Sequence, residues 1–214
     1  MVIDMDNVGP GGAAIAPFAE LRGYWEALRP SGGLPRRADL DPRGLKYCLH
    51  QTVIAEQIAP GLARVRLAGA TFTDLMGMEL RGMPLSALFD PMARAELETA
   101  LTKVFTGKTA VTLRMEAERG LGRPALMGQM LLLPMRGETD APDLLLGCLV
   151  LRGTAGRTPR RFHILRTTCE ALDQTAPLVP PEVARRIPVF AEETVPFRHP
   201  ETRPSAVPYL RVVK

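Results

Sequence analysis

Apolar positions along the middle of the chain recur with two distinct periods. Phe18, Leu21, Trp25 and Leu28 stand three, four and three residues apart. Pro17 suits a first helical turn, and Pro30 cannot continue one. The spacing predicts an amphipathic helix carrying the only tryptophan of the chain. A second helix is expected from Asp90, a capping residue followed by Pro91, with Leu97, Leu101, Val104 and Phe105 as its stripe and Gly107 as its end. Elsewhere the period is two. Val111, Leu113, Met115 and Ala117 alternate with Thr112, Arg114, Glu116 and Glu118, the pattern of a half-buried antiparallel strand. Further strands are expected over roughly 47–58 and 62–68, joined by the turn Ala59-Pro60-Gly61. Two more are expected over roughly 125–135 and 144–152, the last apolar throughout and so central and covered on both faces. Short helical turns, broken by Gly77, Gly82 and Pro84, fill the stretch from Thr71 to Phe89.

The order is helix, two strands, short helices, a longer helix, three strands. It predicts an α+β fold, a five-stranded antiparallel sheet with a helical crossover on one side. Three parts are expected: a flexible arm over 1–16, the domain with its N-terminal helix over 17–153, and a proline- and arginine-rich, largely irregular tail over 154–214. Within the tail, Phe162, Ile164 and Leu165 partly alternate with arginines and can add a short strand or dock on a partner.

Composition narrows the function. Hydrophobic content of 46% and charged content of 23% suit a chain that buries a core. A net charge of +4 does not by itself point to nucleic acid. Cys48, Cys148 and Cys169 have neither disulfide-framework nor zinc spacing, and reduced thiols in a cytoplasm are the simpler account. The start of the chain carries Asp4 and Asp6 and no basic region before an apolar run, and no stretch of about 18 apolar residues follows, so no signal peptide and no membrane span are expected. No Gly-x-Ser-x-Gly occurs. Gly107-Lys108-Thr109 follows a helix and lacks the upstream glycine of a phosphate loop. His50 lies on a strand and His163 and His199 in the tail, none where a haem-binding crossover would need its ligand. No cysteine sits in the Asn-Cys-Arg-Phe motif of covalent flavin sensing. The expectation is no enzyme, no cofactor and no metal.

Leu21-Arg22-Gly23-Tyr24-Trp25-Glu26-Ala27-Leu28-Arg29, Leu34-Pro35-Arg36-Arg37-Ala38-Asp39-Leu40-Asp41-Pro42, Ala63-Arg64-Val65-Arg66-Leu67-Ala68-Gly69-Ala70 and Leu75-Met76-Gly77-Met78-Glu79-Leu80-Arg81-Gly82-Met83-Pro84-Leu85 stand in that order. Over roughly Leu21 to Arg152 the chain resembles a family of stand-alone PAS domains common in alphaproteobacteria. The resemblance implies a PAS fold, a role in sensing or signalling, and no established reaction. Arg66, Gly69, Gly77 and Gly82 match the family pattern. Gly69 is expected to let a strand turn into a helix, Gly77 and Gly82 to allow close backbone approach, and Arg66 to pair with Asp74 or Glu79.

Met76, Met78, Met83 and Met127, with Leu97 and Leu101, read either as a methionine-rich core or as the lining of an apolar ligand pocket, oriented by Gln129. The helix of Phe18, Leu21, Trp25 and Leu28 buries its stripe either on its own sheet or in a homodimer. A PAS module without an output domain must act through another signalling protein or through self-association. The alternatives are a small-molecule sensor and a nucleic-acid-binding regulator using Arg157, Arg160, Arg161, Arg166, Arg185 and Arg186, although such a segment is more often a solvated arm.

Overall fold

The computed structural model describes residues 16–29, 33–139 and 141–172. The alternating segments pair as expected. β1 (Thr52–Ala59) and β2 (Leu62–Ala68) form the first hairpin, turned at Gly61 with φ 68°. The five residues before Thr52, counted into the first strand by the sequence reading, instead form turns and a 3-10 turn (Leu49–Gln51). β3 (Thr109–Ala117), β4 (Leu126–Met135) and β5 (Leu144–Gly153) follow as an antiparallel meander. The sheet order is β2-β1-β5-β4-β3-β6. β5 is central, and its first six residues are buried, as an unbroken apolar run requires.

The sixth strand, β6 (Phe162–Ala171), pairs antiparallel with β3 at the edge of the sheet. It lies in the segment the sequence reading assigned to the tail, and it takes up the strand option offered by Phe162, Ile164 and Leu165. The physical reason is a proline-free window between Pro159 and Pro177, with Phe162 buried in the main core. Arg185, Arg186 and the rest of the tail beyond Leu172, like the arm before Ala16, lie outside the described residues.

Between the two hairpin halves runs the crossover: α2 (Ala70–Met76), short 3-10 turns, and α3 (Arg94–Phe105). Asp90 caps the 3-10 turn Pro91–Ala93 through Met92 N, and α3 begins only at Arg94. Gly107, with φ 75°, ends the helical stretch. Leu97, Leu101, Val104 and Phe105 are all buried against the sheet.

The sheet carries a core on each face. The inner face, with Val53, Val65, Leu113, Met130 and Leu149, packs on the crossover. The outer face, with Ile54, Ala110, Leu131, Leu133, Leu146 and Cys148, packs on α1 (Ala16–Ala27). Leu21 and Trp25 are 0% exposed within the single chain. The indole N–H of Trp25 donates to the Pro134 carbonyl at 2.9 Å, and Arg29 stacks over its ring at 5.0 Å. Of the two places open to the stripe, its own sheet or a homodimer, Leu21 and Trp25 take the sheet of their own chain. Phe18 and Leu28 remain half-buried.

Candidate functional site

Strand parity decides where the expected pocket residues go. Leu126, Gly128 and Met130 of β4 face the crossover side. Met127 and Gln129 therefore face the other way, half-buried, on the side of α1. Met76, Leu97 and Leu101 are buried in the inner core, Met83 is half-buried and Met78 is 51% exposed. These residues do not assemble into one lining. The space between crossover and sheet is occupied by Phe72, Leu75, Leu80, Leu88, Phe89 and Phe162, each 1% exposed or less. Of the four methionines only Met76 belongs to the buried core.

The open concavity lies on the outside of the sheet. A cleft of about 850 Å³ runs between the outer face of β1 and β2, the stretch after α1, and the loop before β5. Arg36, Arg37, Ile54, Glu56, Arg66, Glu138, Thr139 and Asp143 line it. A smaller hollow of about 320 Å³ adjoins it, sharing Arg37, Ile54 and Arg66 and adding Glu79 and Arg81. Three devices build this cleft. The Arg37 amide donates to the Arg136 carbonyl at 2.8 Å and the Arg136 amide to Pro35 at 2.9 Å, tying the linker to the end of β4. The Gly137 amide donates to Asp143 Oδ1 at 2.6 Å, which closes the loop. On the floor, Glu56 of β1 accepts from Arg66 and lies 3.7 Å from Arg64, both of β2.

That last pairing corrects the expected partners of Arg66. Neither Asp74 nor Glu79 holds it; Glu56 does, because Arg64 stands directly across from Glu56 and Arg66 is the next residue on the same face. The glycines divide by cause. Gly69 has an ordinary φ of −73°, and a side chain there would strike the carbonyl oxygens of His50 and Leu49. Gly77 caps α2 in the left-handed region at φ 71°, facing Thr158. Gly82 is not a close approach at all: a Cβ would meet nothing within 4 Å, and its φ of 84° is the requirement.

Sequence reasoning missed one structural centre, Arg160. It is 0% exposed, whereas the arginine-rich segment around it reads as a solvated arm. Its guanidinium donates to the carbonyls of Ala155, Glu118 (2.9 Å) and Pro124 (2.8 Å), and its amide to Leu75 at 3.0 Å. Burial pulls its pKa down from the ordinary value, with Arg123 adding to the effect and Glu118 opposing it. A proline just before Arg160 and a buried Phe162 two residues on were the available signals.

The three thiols are free, and none lies on a helix of the crossover. Cys48 precedes β1, Cys148 is on β5 and Cys169 on β6. Burial pushes Cys148 up to about 12 and raises Cys48 as well. Low-dielectric surroundings disfavour the reactive thiolate, so both are inert packing groups. Among the described residues no cluster of three or more His, Cys, Asp or Glu could hold a metal, and no helix is long and apolar enough to cross a membrane.

No curated protein matches the chain. Similar solved structures include a light-oxygen-voltage domain studied with a flavin analogue (18% identity, 52% of this chain and 83% of that one, TM-score 0.40). They also include the dark state of the blue-light photoreceptor Aureochrome1 LOV (16% identity, 51% and 80%, TM-score 0.39) and the Rhodobacter sphaeroides LOV protein (18% identity, 64% and 68%, TM-score 0.34). The family model of the PAS domain matches residues 14–150, which takes in α1, the crossover and nearly all of β1 to β5. Sensing and signal transduction are the business of that family, whose domains mediate protein interactions and can bind small ligands. With well over half of its length matched, the chain belongs to the PAS domain family.

Proposed function

We propose that this chain is a non-catalytic PAS regulatory module that acts through protein–protein contacts. One observation carries the reading. The interior where a ligand would sit is filled by fully buried side chains, while the accessible concavity is external, polar and of mixed charge. Arg37, Arg66 and Arg81 face Glu56, Glu79, Glu138 and Asp143 around that cleft. Alternating charges of this kind suit a polar interface, where complementarity sets specificity. The cleft is also bordered by a loop and a linker, which a partner can reorder without breaking the sheet. A cytoplasmic setting accords with three unpaired thiols. The Met-lined pocket draws no support from the scattered methionines. The nucleic-acid reading loses Arg160 to the interior.

The test joins native mass spectrometry to partner capture. Purified full-length protein is expected at the mass of the polypeptide alone. A partner captured stoichiometrically from the native host is expected to be lost with Arg37→Glu/Arg66→Glu, with a cooperative melting curve showing that the variant is folded. A stoichiometric small molecule retained in the core, or a partner indifferent to both substitutions, overturns the reading.

A further inference from the structure

The two edges of the sheet differ. β2 is covered by the crossover: the Val65 amide donates to the Met83 carbonyl and the Gly82 amide to the Val65 carbonyl, both at 2.8 Å. β6, at the far edge, is met only at its first residue, where the Asp90 amide donates to the Phe162 carbonyl. Among the described residues no other backbone group pairs with its outer side.

The ladder to β3 shows which groups face outward. The Leu172 amide points into the sheet, donating to the Lys108 carbonyl at 2.8 Å. Amides alternate along an antiparallel strand, so those of Glu170, Thr168 and Arg166 point the same way, and those of Ala171, Cys169 and Thr167 point outward. A register shift that leaves Leu165 unmatched ends this regular run. Edge strands are ordinarily blunted by lysine, proline or a bulge. From Arg166 to Ala171 the edge has none of the three.

Side chains along the run carry opposite signs at equal distances from Thr168. On the outer face Arg166 lies two residues before it and Glu170 two residues after. Arg166 stands across from Arg114, a like charge, and no acid pairs with it among the described residues. Glu170 accepts from Arg22 of α1 at 2.7 Å. On the inner face α3 supplies the same pattern. Glu96 accepts from the Thr167 hydroxyl at 2.6 Å, and the Lys103 ammonium lies 3.7 Å from Cys169 Sγ. Glu96 and Lys103 are both exposed.

A two-fold axis through Thr168 makes this edge its own complement. Two antiparallel copies of β6 bring Thr168 against the partner's Thr168, and Thr167 against the partner's Cys169, whose outward amides and carbonyls can then be exchanged. The same rotation sets Arg166 across from the partner's Glu170, and Glu96 beside the partner's Lys103. Opposite charges directly across a ladder stabilise it, so Arg166 gains the acid that its own sheet does not give it. Leu165, 52% exposed, comes against the partner's Ala171. An unrelated strand has no reason to satisfy both charge relations, whereas a second copy satisfies them by symmetry.

We propose that β6 is a self-association edge, through which two copies of the chain pair about Thr168 and join their six-stranded sheets into one. The cleft beside β1 and β2 lies at the opposite edge, so pairing leaves it open and presents one at each end. The ladder is short, which places it at the weak end of protein interfaces; the pair forms at high concentration and separates on dilution.

Sedimentation of the full-length protein from about 5 to about 500 μM tests this, with hydrogen–deuterium exchange at both ends of that range. The mass is expected to rise from one polypeptide towards two, and residues 163–171 to gain protection with it. Lys103→Glu and Glu96→Lys are each expected to weaken pairing about tenfold or more. An equimolar mixture of those two variants should recover wild-type affinity to within about threefold, because the mixed pair restores both contacts. Arg166→Glu and Glu170→Arg should behave the same way, but Glu170 also touches α1, and the variants of α3 are free of that contact. Cys169→Pro removes an outward amide and none of the bonds to β3, and is expected to remain monomeric. A cooperative melting curve confirms that each variant is folded. The mass of one polypeptide at every concentration overturns the proposal. So does a pair that survives Cys169→Pro, or a mixture that associates no more tightly than its components. Protection of 163–171 that does not change with concentration also overturns it, in favour of a cover from within the chain.

Discussion

Replacing Trp25 with alanine should unseat the outer core and leave the inner one standing. The indole is fully buried between α1 and the sheet, so its removal deletes roughly 200–250 Å² of contact, about 5–6 kcal/mol at 25 cal/mol per Å². Partial collapse of the neighbours reduces the net loss to about 3–5 kcal/mol. The Pro134 carbonyl also loses its donor, and Arg29 loses the ring it stacks on. Trp25→Phe keeps one aromatic ring but removes the N–H together with the five-membered ring that carries it, and the expected loss is about 1–3 kcal/mol. Urea denaturation followed by far-ultraviolet circular dichroism measures both, since the fluorescence of the sole tryptophan disappears with the substitution. For a domain of this size the alanine variant should melt roughly 6–20 °C lower. Wild-type emission should be blue-shifted and move to the red in a first, sub-global step as α1 detaches. A Trp25→Ala protein within about 1 kcal/mol of wild type would refute the reasoning, because α1 would then not cover the sheet in solution.

Three further outcomes are expected. Gly69→Ala should destabilise by about 2 kcal/mol or more, since backbone oxygens cannot step aside, whereas Gly82→Ala, strained only in φ, should lose about 1–2 kcal/mol; paired urea titrations separate them. Arg160→Lys should fail to rescue Arg160→Met, each losing about 3 kcal/mol or more, because one ammonium cannot replace a fork that serves three carbonyls; comparable melting temperatures for Arg160→Lys and wild type would contradict this. Because Cys148 is raised from 9.0 to about 12 on folding, its contribution to stability is complete below pH 9 and is lost as pH climbs from 9 through 12; the wild-type midpoint should fall across that window more than that of Cys148→Ala.

Period alone located α1, α3 and β3 to β5, because each has one face or both in a core and so carries an apolar signature. β6 has no such signature. Only Phe162 is buried along it, and a register shift where β3 passes from Arg114 to Met115 leaves Leu165 outside the alternation. An edge strand with both faces largely solvated reads as loop. The cleft was illegible for a different reason. Arg66 finds its acid through the β1–β2 register, and Arg36 and Arg37 meet the 136–143 loop only after the chain has crossed the sheet. Arg160 draws acceptors from Glu118 and Pro124, far back in the chain, and Pro159 before it and Phe162 after it are the only local cues that set it apart from exposed Arg161.

The seating of β6 has a mechanical corollary. Its last residue, Ala171, stands across from the first residue of β3, Thr109, and its first, Phe162, across from the last, Ala117. A pull on the chain beyond Leu172 therefore loads the ladder from one end, and its hydrogen bonds break one after another instead of together. Peeling of that kind needs little force and reverses readily. It stops at Phe162 and Arg160, where the strand is pinned to the crossover through Asp90 N to Phe162 O and Arg160 N to Leu75 O, both at 3.0 Å. Tension on the C-terminal segment would thus strip β3 bare along its outer edge while the five remaining strands, and the joint to the helices, kept their shape.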